Sequence, residues 1–115
     1  MTEVCPFCEL SQIASPIVVY GNVMVFTPLN PVAPGHRLVV PREHVADFAA
    51  DPRVSADVMA VASLLAHEAG GAFNVITSRG TEATQSVMHL HLHLIPRSEG
   101  DGLKLPWTTP KDIQG

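Results

Sequence analysis

The sequence predicts an α+β fold in which a five-stranded, mostly antiparallel sheet packs with one short and one long helix. Three observations predict it: short β-branched runs recur along the chain, a two-residue hairpin signal separates the first two, and one long stretch carries apolar residues at helical spacing. At 115 residues, with 46% hydrophobic and 16% charged residues, the composition is typical of one compact domain. We therefore predict a single domain over residues 1–115, with a C-terminal tail over residues 98–115.

The N-terminal half contains three predicted strands and one short helix. Gly21-Asn22 is the hairpin signal between the first two strands, and three prolines in residues 28–35 predict an ordered loop. Pro41 ends the third strand. The predicted elements are strands over Pro16–Tyr20, Val23–Thr27 and Arg37–Val40 and a short helix over Val45–Ala50.

The C-terminal half begins with the long helix, predicted over Pro52–Ala69. Asp51 is suited to cap its start, proline suits its first position, and Gly70-Gly71 ends it. Two further strands are predicted over Phe73–Thr77 and Val87–Ile95, and a polar loop joins them.

Charge and hydropathy exclude several classes of function. A net charge of −4 and a pI near 5.8 argue against a protein that binds nucleic acid or anionic membranes over its surface. No apolar run approaches the ~18 residues that span a bilayer, and the first residues do not resemble a signal peptide. We therefore expect a cytoplasmic protein with neither nucleic acid nor a membrane as its partner.

The stretch His89-Leu90-His91-Leu92-His93 is the strongest chemical feature of the sequence. On a strand, alternate residues share one face, so the three histidines would point one way and the leucines into the core. The pattern fits a metal site with His-x-His ligands, or a nucleophilic imidazole that its neighbours orient. The simplest alternative is three partly exposed polar positions on an amphipathic strand.

Cys5 and Cys8 form a Cys-x-x-Cys pair near the N-terminus. Two thiolates at this spacing can bind one tetrahedral metal ion, but the spacing alone is also compatible with a redox pair or with chance. A thioredoxin-like redox role would need a βαβ context, which the predicted elements do not provide.

Together, these features closely resemble the histidine triad (HIT) superfamily of nucleotide-binding hydrolases and transferases. The triad fits the family signature His-φ-His-φ-His-φ-φ, where φ is apolar, and the resemblance runs from Cys5 to Trp107. The other matching segments are Cys5–Cys8, Asn30–His36, Pro41–His44, Gln85–Val87, Gly100–Gly102 and Leu105–Trp107.

The resemblance implies catalytic roles for four residues. His91 would be the nucleophile that attacks an α-phosphate and forms a nucleotidyl-histidine intermediate. His93 and His36 would donate to the phosphate oxygens, and Ser86 would serve the leaving group. The implied substrates are nucleoside 5′-phosphoramidates or dinucleoside polyphosphates. The alternatives are a zinc-stabilised nucleotide-binding module with little turnover, and a metallohydrolase that uses the triad as ligands.

The resemblance also implies a metal site, a nucleotide pocket and an assembly. His44 and His89 would join Cys5 and Cys8 around a structural zinc ion, and the protein would be a symmetric homodimer. Pro28 departs from the family, which usually has Asp or Asn there to hold the ribose hydroxyls. The residues expected to bind the nucleotide, most of them in an apolar purine pocket, are Phe7, Leu10, Phe26, Leu29, Asn30, Gln85 and Ser86.

Overall fold

The computed structural model describes Cys5 and residues 17–108. It confirms the α+β class, with one long helix and a five-stranded sheet in which every pairing is antiparallel. No helix in this part of the chain is long and apolar enough to cross a membrane. The elements are β1 (Val18–Tyr20), β2 (Val23–Phe26), β3 (Arg37–Pro41), α1 (Pro52–Ala69), β4 (Ala72–Ile76), a single 3-10 turn (Thr81–Ala83) and β5 (Leu92–Arg97).

The strand order β1-β2-β3-β5-β4 places β5 between β3 and β4. His93 of β5 pairs with Leu38 on one side and with Ile76 on the other. The C-terminal strand that carries the triad therefore lies inside the sheet, while β1 and β4 form its edges.

Two apolar clusters cover the two faces of the sheet. On one face, Val58, Ala62 and Leu65 of α1 pack with Leu92 and Leu94 of β5. The cluster on the other face contains Met24, Phe26, Leu38 and Val40. Because side chains alternate along a strand, His93 lies on the face opposite α1.

Helix α1 has the bounds that its local signals predict. The Asp51 carboxylate accepts a hydrogen bond from the Arg53 N–H at 3.0 Å, and a proline occupies the first turn. At the other end, Gly70 adopts a φ of 68°, and its N–H donates to the Ala66 carbonyl. A positive φ is accessible to glycine without a steric penalty, so the helix ends there.

The predicted short helix over Val45–Ala50 is wrong, because these residues form bends and a turn instead. The Asp47 side chain accepts a hydrogen bond from the Ala49 N–H at 2.8 Å, which favours a turn over a helix. The Val45 carbonyl accepts from the Leu90 N–H at 2.8 Å. This segment therefore supports the residues before β5 rather than forming an element of its own.

The predicted strand over Val87–Ile95 begins five residues late, at Leu92, and continues to Arg97. The neighbouring strand β4 ends at Ile76, which pairs with His93, so the ladder between β4 and β5 goes no further. Residues 87–89 form bends. His89 and His91 consequently lie outside the regular strand, and their positions depend on side-chain contacts as well as on the sheet.

An ion pair between Arg97 and Asp101, supported by further hydrogen bonds, holds the start of the tail against the sheet. The Arg97 guanidinium donates to both carboxylate oxygens of Asp101, at 2.8 and 3.0 Å, and also to the Asn74 side chain and the Leu103 carbonyl. Arg97 and two main-chain N–H groups, those of Ser98 and Leu103, hold the pKa of Asp101 well below its usual range.

Candidate active site

A cavity of about 480 Å³ opens on the face of the sheet opposite α1. It brings together the four predicted catalytic residues and two of the predicted nucleotide-binding residues, Leu29 and Asn30. The lining residues are Pro28, Leu29, Asn30, Val32, His36, Leu38, Ile76, Ser86, Val87, His91, His93 and Ile95.

The His91 ring is held in one tautomer by the main chain. Its Nδ1–H donates to the His89 carbonyl at 2.7 Å, since a carbonyl oxygen can only accept. The lone pair therefore lies on Nε2. Burial lowers the pKa of His91, although the hydrogen bond to His89 opposes this effect. The ring is thus a neutral imidazole at physiological pH, which is the nucleophilic form.

His36 and His93 form a directed chain of hydrogen bonds. The Val32 N–H donates to Nδ1 of His36 at 3.0 Å, so the proton of this ring lies on Nε2. That Nε2–H then donates to Nδ1 of His93, also at 3.0 Å. His93 in turn keeps its proton on Nε2, where it can donate to an oxygen of a ligand in the cavity.

Both of these rings are neutral at physiological pH. Burial lowers the pKa of His36. Burial, together with the neighbouring His91 and His36 rings, lowers the pKa of His93 to about 4. The site therefore offers the Nε2–H of His93 as a donor without fixed positive charge. The prediction that His36 also donates to a phosphate oxygen is wrong for this arrangement, because its N–H donates to His93.

Ser86 and Gln85 are adjacent in the chain but have different surroundings. Ser86 is exposed and lines the cavity. Gln85 is buried, and its amide bonds three main-chain groups: it donates to the carbonyls of Ala46 and Val87, and it accepts from the Gly80 N–H. Its predicted contact with a nucleotide stays a prediction, because the side chain is outside the cavity lining.

The predicted purine pocket is only partly represented among the described residues. Leu29 lines the cavity, whereas Phe26 is buried in the core cluster on the same face of the sheet. Phe7 and Leu10 lie outside the described residues. Sequence reasoning did not identify Ile76 and Ile95, which also line the cavity. Strand periodicity points to Ile95, two residues after His93, but Ile76 follows only from the strand order.

A second cluster has donor atoms that are typical of a zinc site. Cys5, His44 and His89 each offer a ligand atom, and these atoms lie within 4.8 Å of one another. His89 is buried, and its Nε2–H donates to the Pro41 carbonyl at 2.9 Å. Its Nδ1 lone pair therefore faces Nδ1 of His44 at 3.0 Å and the Cys5 sulfur at 3.4 Å.

These residues fit the chemistry of zinc. A thiolate and two imidazoles are typical zinc ligands, and a ring N–H donated to a main-chain carbonyl is the usual outer contact of a ligating histidine. Cys8, the fourth predicted ligand, lies outside the described residues.

Pro28 is buried and lines the cavity, at the position where the resemblance implies an Asp or Asn that holds the ribose hydroxyls. Its ring offers no hydrogen-bonding group to a sugar hydroxyl. Apart from the histidines, the polar side chains of the cavity lining are those of Asn30 and Ser86.

Comparisons with known proteins identify the family and agree with the fold. Residues 12–100 match the HIT domain family. An uncharacterised HIT-like protein from Methanocaldococcus jannaschii is 35% identical over 117 residues, covering 95% of this chain and 91% of the relative. The adenosine 5′-monophosphoramidase of Saccharomyces cerevisiae is 33% identical over 109 residues, covering 90% and 69%. The solved structure of a histidine triad protein from Clostridium difficile matches with a TM-score of 0.72 and 32% identity, covering 95% of this chain and 100% of that one.

Proposed function

The chain belongs to the HIT domain family, and from this premise we propose that it is a nucleotide hydrolase or nucleotidyl transferase. The proposed substrates are nucleoside 5′-phosphoramidates or dinucleoside polyphosphates, cleaved at the α-phosphate. The observation that carries the proposal is the tautomer of His91, whose Nδ1–H is bound to the His89 carbonyl while the ring lines the cavity. The yeast relative, named an adenosine 5′-monophosphoramidase, supports the substrate class.

In the first step, the Nε2 lone pair of His91 attacks the α-phosphorus. The bond from phosphorus to the leaving group breaks, its electron pair goes to the leaving atom, and a nucleotidyl-histidine forms. The ring becomes positively charged as the N–P bond forms, because Nδ1 keeps its proton. The His89 carbonyl, 2.7 Å away, stabilises this charge.

His93 acts on the phosphate directly, His36 acts through His93, and neither ring changes its net charge. The Nε2–H of His93 donates to a non-bridging oxygen, and the hydrogen bond from His36 fixes the tautomer that makes this possible. The Ser86 hydroxyl donates a proton to the leaving atom. In the second step, water attacks the phosphorus and returns a proton to the Ser86 oxygen, the electron pair of the N–P bond goes to Nε2, and a nucleoside monophosphate is released.

A zinc ion, where bound, would be held by Cys5, His44, His89 and the predicted Cys8, and would tie the N-terminus to the triad. A closed set of four protein ligands supplies folding energy and leaves no position for a catalytic water. Thiolate ligands require reduced cysteines, which is in line with a cytoplasmic location.

The second candidate function is a zinc-stabilised nucleotide-binding module with little turnover. Pro28 favours it, because the position that usually holds the ribose hydroxyls has no hydrogen-bonding group in this chain. Weak positioning of the sugar would reduce the rate of a reaction that depends on alignment at the α-phosphate.

The experiment is incubation with adenosine 5′-phosphoramidate and with a diadenosine polyphosphate, followed by product analysis. The wild type should release AMP, and His91→Ala should release none while it still binds AMP. His67→Ala, which changes an exposed histidine of α1, is the matched control. Nucleotide binding by the wild type with no product from either compound would favour the binding module.

A further inference from the structure

The main chain of His91 lies just outside the sheet, and a side chain at the end of β4 holds it there. The last pair in the ladder between β4 and β5 is Ile76 with His93. The next residue after β4, Thr77, donates its hydroxyl to the His91 carbonyl at 2.9 Å. This contact extends the link between the two strands by a side-chain hydrogen bond.

His91 is therefore held at its main chain and at its ring. Thr77 bonds its carbonyl, and the His89 carbonyl accepts from its Nδ1–H. The residues before it form bends rather than a strand, so the ladder does not fix their torsions. Because the ring bonds a carbonyl only two residues away, a rotation of the main chain between the two residues moves the ring relative to its acceptor.

We propose that Thr77 is a positioning residue for phosphoryl transfer: its hydroxyl holds the His91 main chain so that Nε2 stays aligned with the α-phosphorus. This inference rests on the proposed role of His91 as the nucleophile. Thr77 is not among the residues that line the cavity, whereas its neighbour Ile76 is. The hydroxyl thus acts through His91 and not by contact with the nucleotide.

A purely structural role for the same hydrogen bond predicts a different result. A hydroxyl that merely satisfies a half-buried carbonyl contributes to the stability of the fold and not to the rate of the reaction. Its loss would lower the melting temperature and leave the kcat of the folded enzyme unchanged. Loss of a positioning contact lowers kcat and leaves KM unchanged, because misplacement of a reacting group by about 1 Å costs on the order of 100-fold in rate.

The experiment compares Thr77→Val with Thr77→Ser. Valine keeps the shape of threonine and removes the hydroxyl, whereas serine keeps the hydroxyl and removes the methyl group. Thr81→Val, at an exposed threonine in the 3-10 turn, is the control. Kinetics with adenosine 5′-phosphoramidate and the affinity for AMP are measured below the melting temperature of every variant.

We expect kcat to fall by about ten-fold or more in Thr77→Val, with KM and AMP affinity within about two-fold of the wild type. Thr77→Ser should recover most of the rate, and Thr81→Val should match the wild type. An unchanged kcat in Thr77→Val, or an equal loss in Thr77→Ser, would overturn the proposal. If Thr77→Val does not fold, Thr77→Ala is measured in its place.

A second readout does not depend on turnover. In ¹⁵N-histidine spectra at a fixed metal content, His91 of the wild type should show a protonated Nδ1 that exchanges slowly with solvent. Thr77→Val should show faster exchange of this proton, and Thr77→Ser should not. If the wild type shows no turnover, the proposed function fails. In that case, equal exchange rates of the His91 Nδ1 proton in the wild type and in Thr77→Val would overturn the proposed role of Thr77 on their own.

Discussion

At the residue scale, His89 and His91 bond main-chain carbonyls through opposite ring nitrogens. In His89, Nε2 donates to the Pro41 carbonyl and Nδ1 faces the cysteine and the second histidine of the metal cluster. In His91, Nδ1 donates to a carbonyl and Nε2 keeps the lone pair. The neighbouring main-chain carbonyl thus decides which ring nitrogen keeps its lone pair, and with it whether the ring suits the proposed role of a metal ligand or that of a nucleophile.

The first prediction at this scale concerns Pro28. A carboxylate that bonds two ribose hydroxyls makes charge-assisted hydrogen bonds worth about 1.5–3 kcal/mol each, and Pro28 makes none. We therefore expect ribo- and 2′-deoxyribonucleotides to differ by well under about ten-fold in kcat/KM. Pro28→Asp should raise kcat/KM for the ribonucleotide by roughly ten-fold or more, which corresponds to ~1.4 kcal/mol. A wild type that strongly prefers ribose, with no gain in Pro28→Asp, would show that Asn30 or a main-chain group already binds the sugar.

The second prediction concerns pH and stability. The pKa of His93 is about 4 in the folded protein and 6.5 in the unfolded chain, so protonation favours unfolding. The unfolding free energy should be at its full value above pH 6.5 and should fall as the pH drops towards 4. This one group contributes a loss of at most about 2 kcal/mol between pH 7 and pH 5, because solvent screens a partly exposed ring.

Urea unfolding of the wild type and of His93→Asn at pH 7 and pH 5 measures the contribution of His93 to this loss of stability. Asparagine keeps an acceptor for the His36 N–H but does not titrate. The metal cluster is common to both proteins, so its own pH dependence cancels in the difference. Equal losses in the two proteins would show that His93 is not the cause.

At the element scale, the helix could be predicted from sequence more accurately than the strand that carries the triad. The ends of α1 depend on local groups, the Asp51 cap and Gly70, which the sequence shows directly. The start of β5 depends on where β4 ends, and an alternation of histidine and leucine carries no information about a partner strand. The same limit applies to Ile76, whose place beside His93 is a property of the strand order.

A prediction at this scale concerns the cluster of Cys5, His44 and His89, the candidate zinc ligands. It links Cys5 to the loop before α1 and to the first residue of the triad. Protein purified without chelator should contain one zinc ion per chain. Removal of the zinc, or Cys5→Ala, should lower the melting temperature, because a closed site contributes folding energy. His67→Ala is the control.

Two results would contradict the prediction of a structural zinc site. Absence of zinc, or a Cys5→Ala variant that melts like the wild type, would exclude a structural site. Immediate loss of activity when the still-folded protein is chelated would favour the metallohydrolase alternative.

At the scale of the whole molecule, the face of the sheet that carries α1 continues to an apolar edge. Val75 lies on the edge strand β4 and is 39% exposed. It pairs with Leu94, which packs in the cluster beneath α1, so it lies on the helix side of the sheet. Met59 and Leu64 of α1 are 48% and 43% exposed. Exposed apolar side chains on an edge strand and on a helix are features that a contact between subunits would cover.

We therefore predict a symmetric homodimer in which α1 and β4 of the two copies meet. Light scattering at micromolar concentration should give twice the mass of the chain, and Val75→Lys should give the mass of one chain. Val18→Lys, on the opposite edge strand β1, is the matched control and should remain dimeric, since Val18 is also exposed. A wild type of single-chain mass would contradict the prediction, as would dissociation by Val18→Lys alone.

The proposed reaction requires a covalent bond between His91 and the α-phosphorus. Mass spectrometry of the protein quenched during turnover is the most direct test for this bond. The wild type, mixed with adenosine 5′-phosphoramidate and quenched at alkaline pH, should carry one adenylyl group. Peptide fragmentation should place this group on His91 rather than on His89 or His93. His91→Ala should carry none and should lose turnover. An adduct on another residue would contradict the account, and so would His91→Ala activity within ten-fold of the wild type, a difference of only ~1.4 kcal/mol in the barrier.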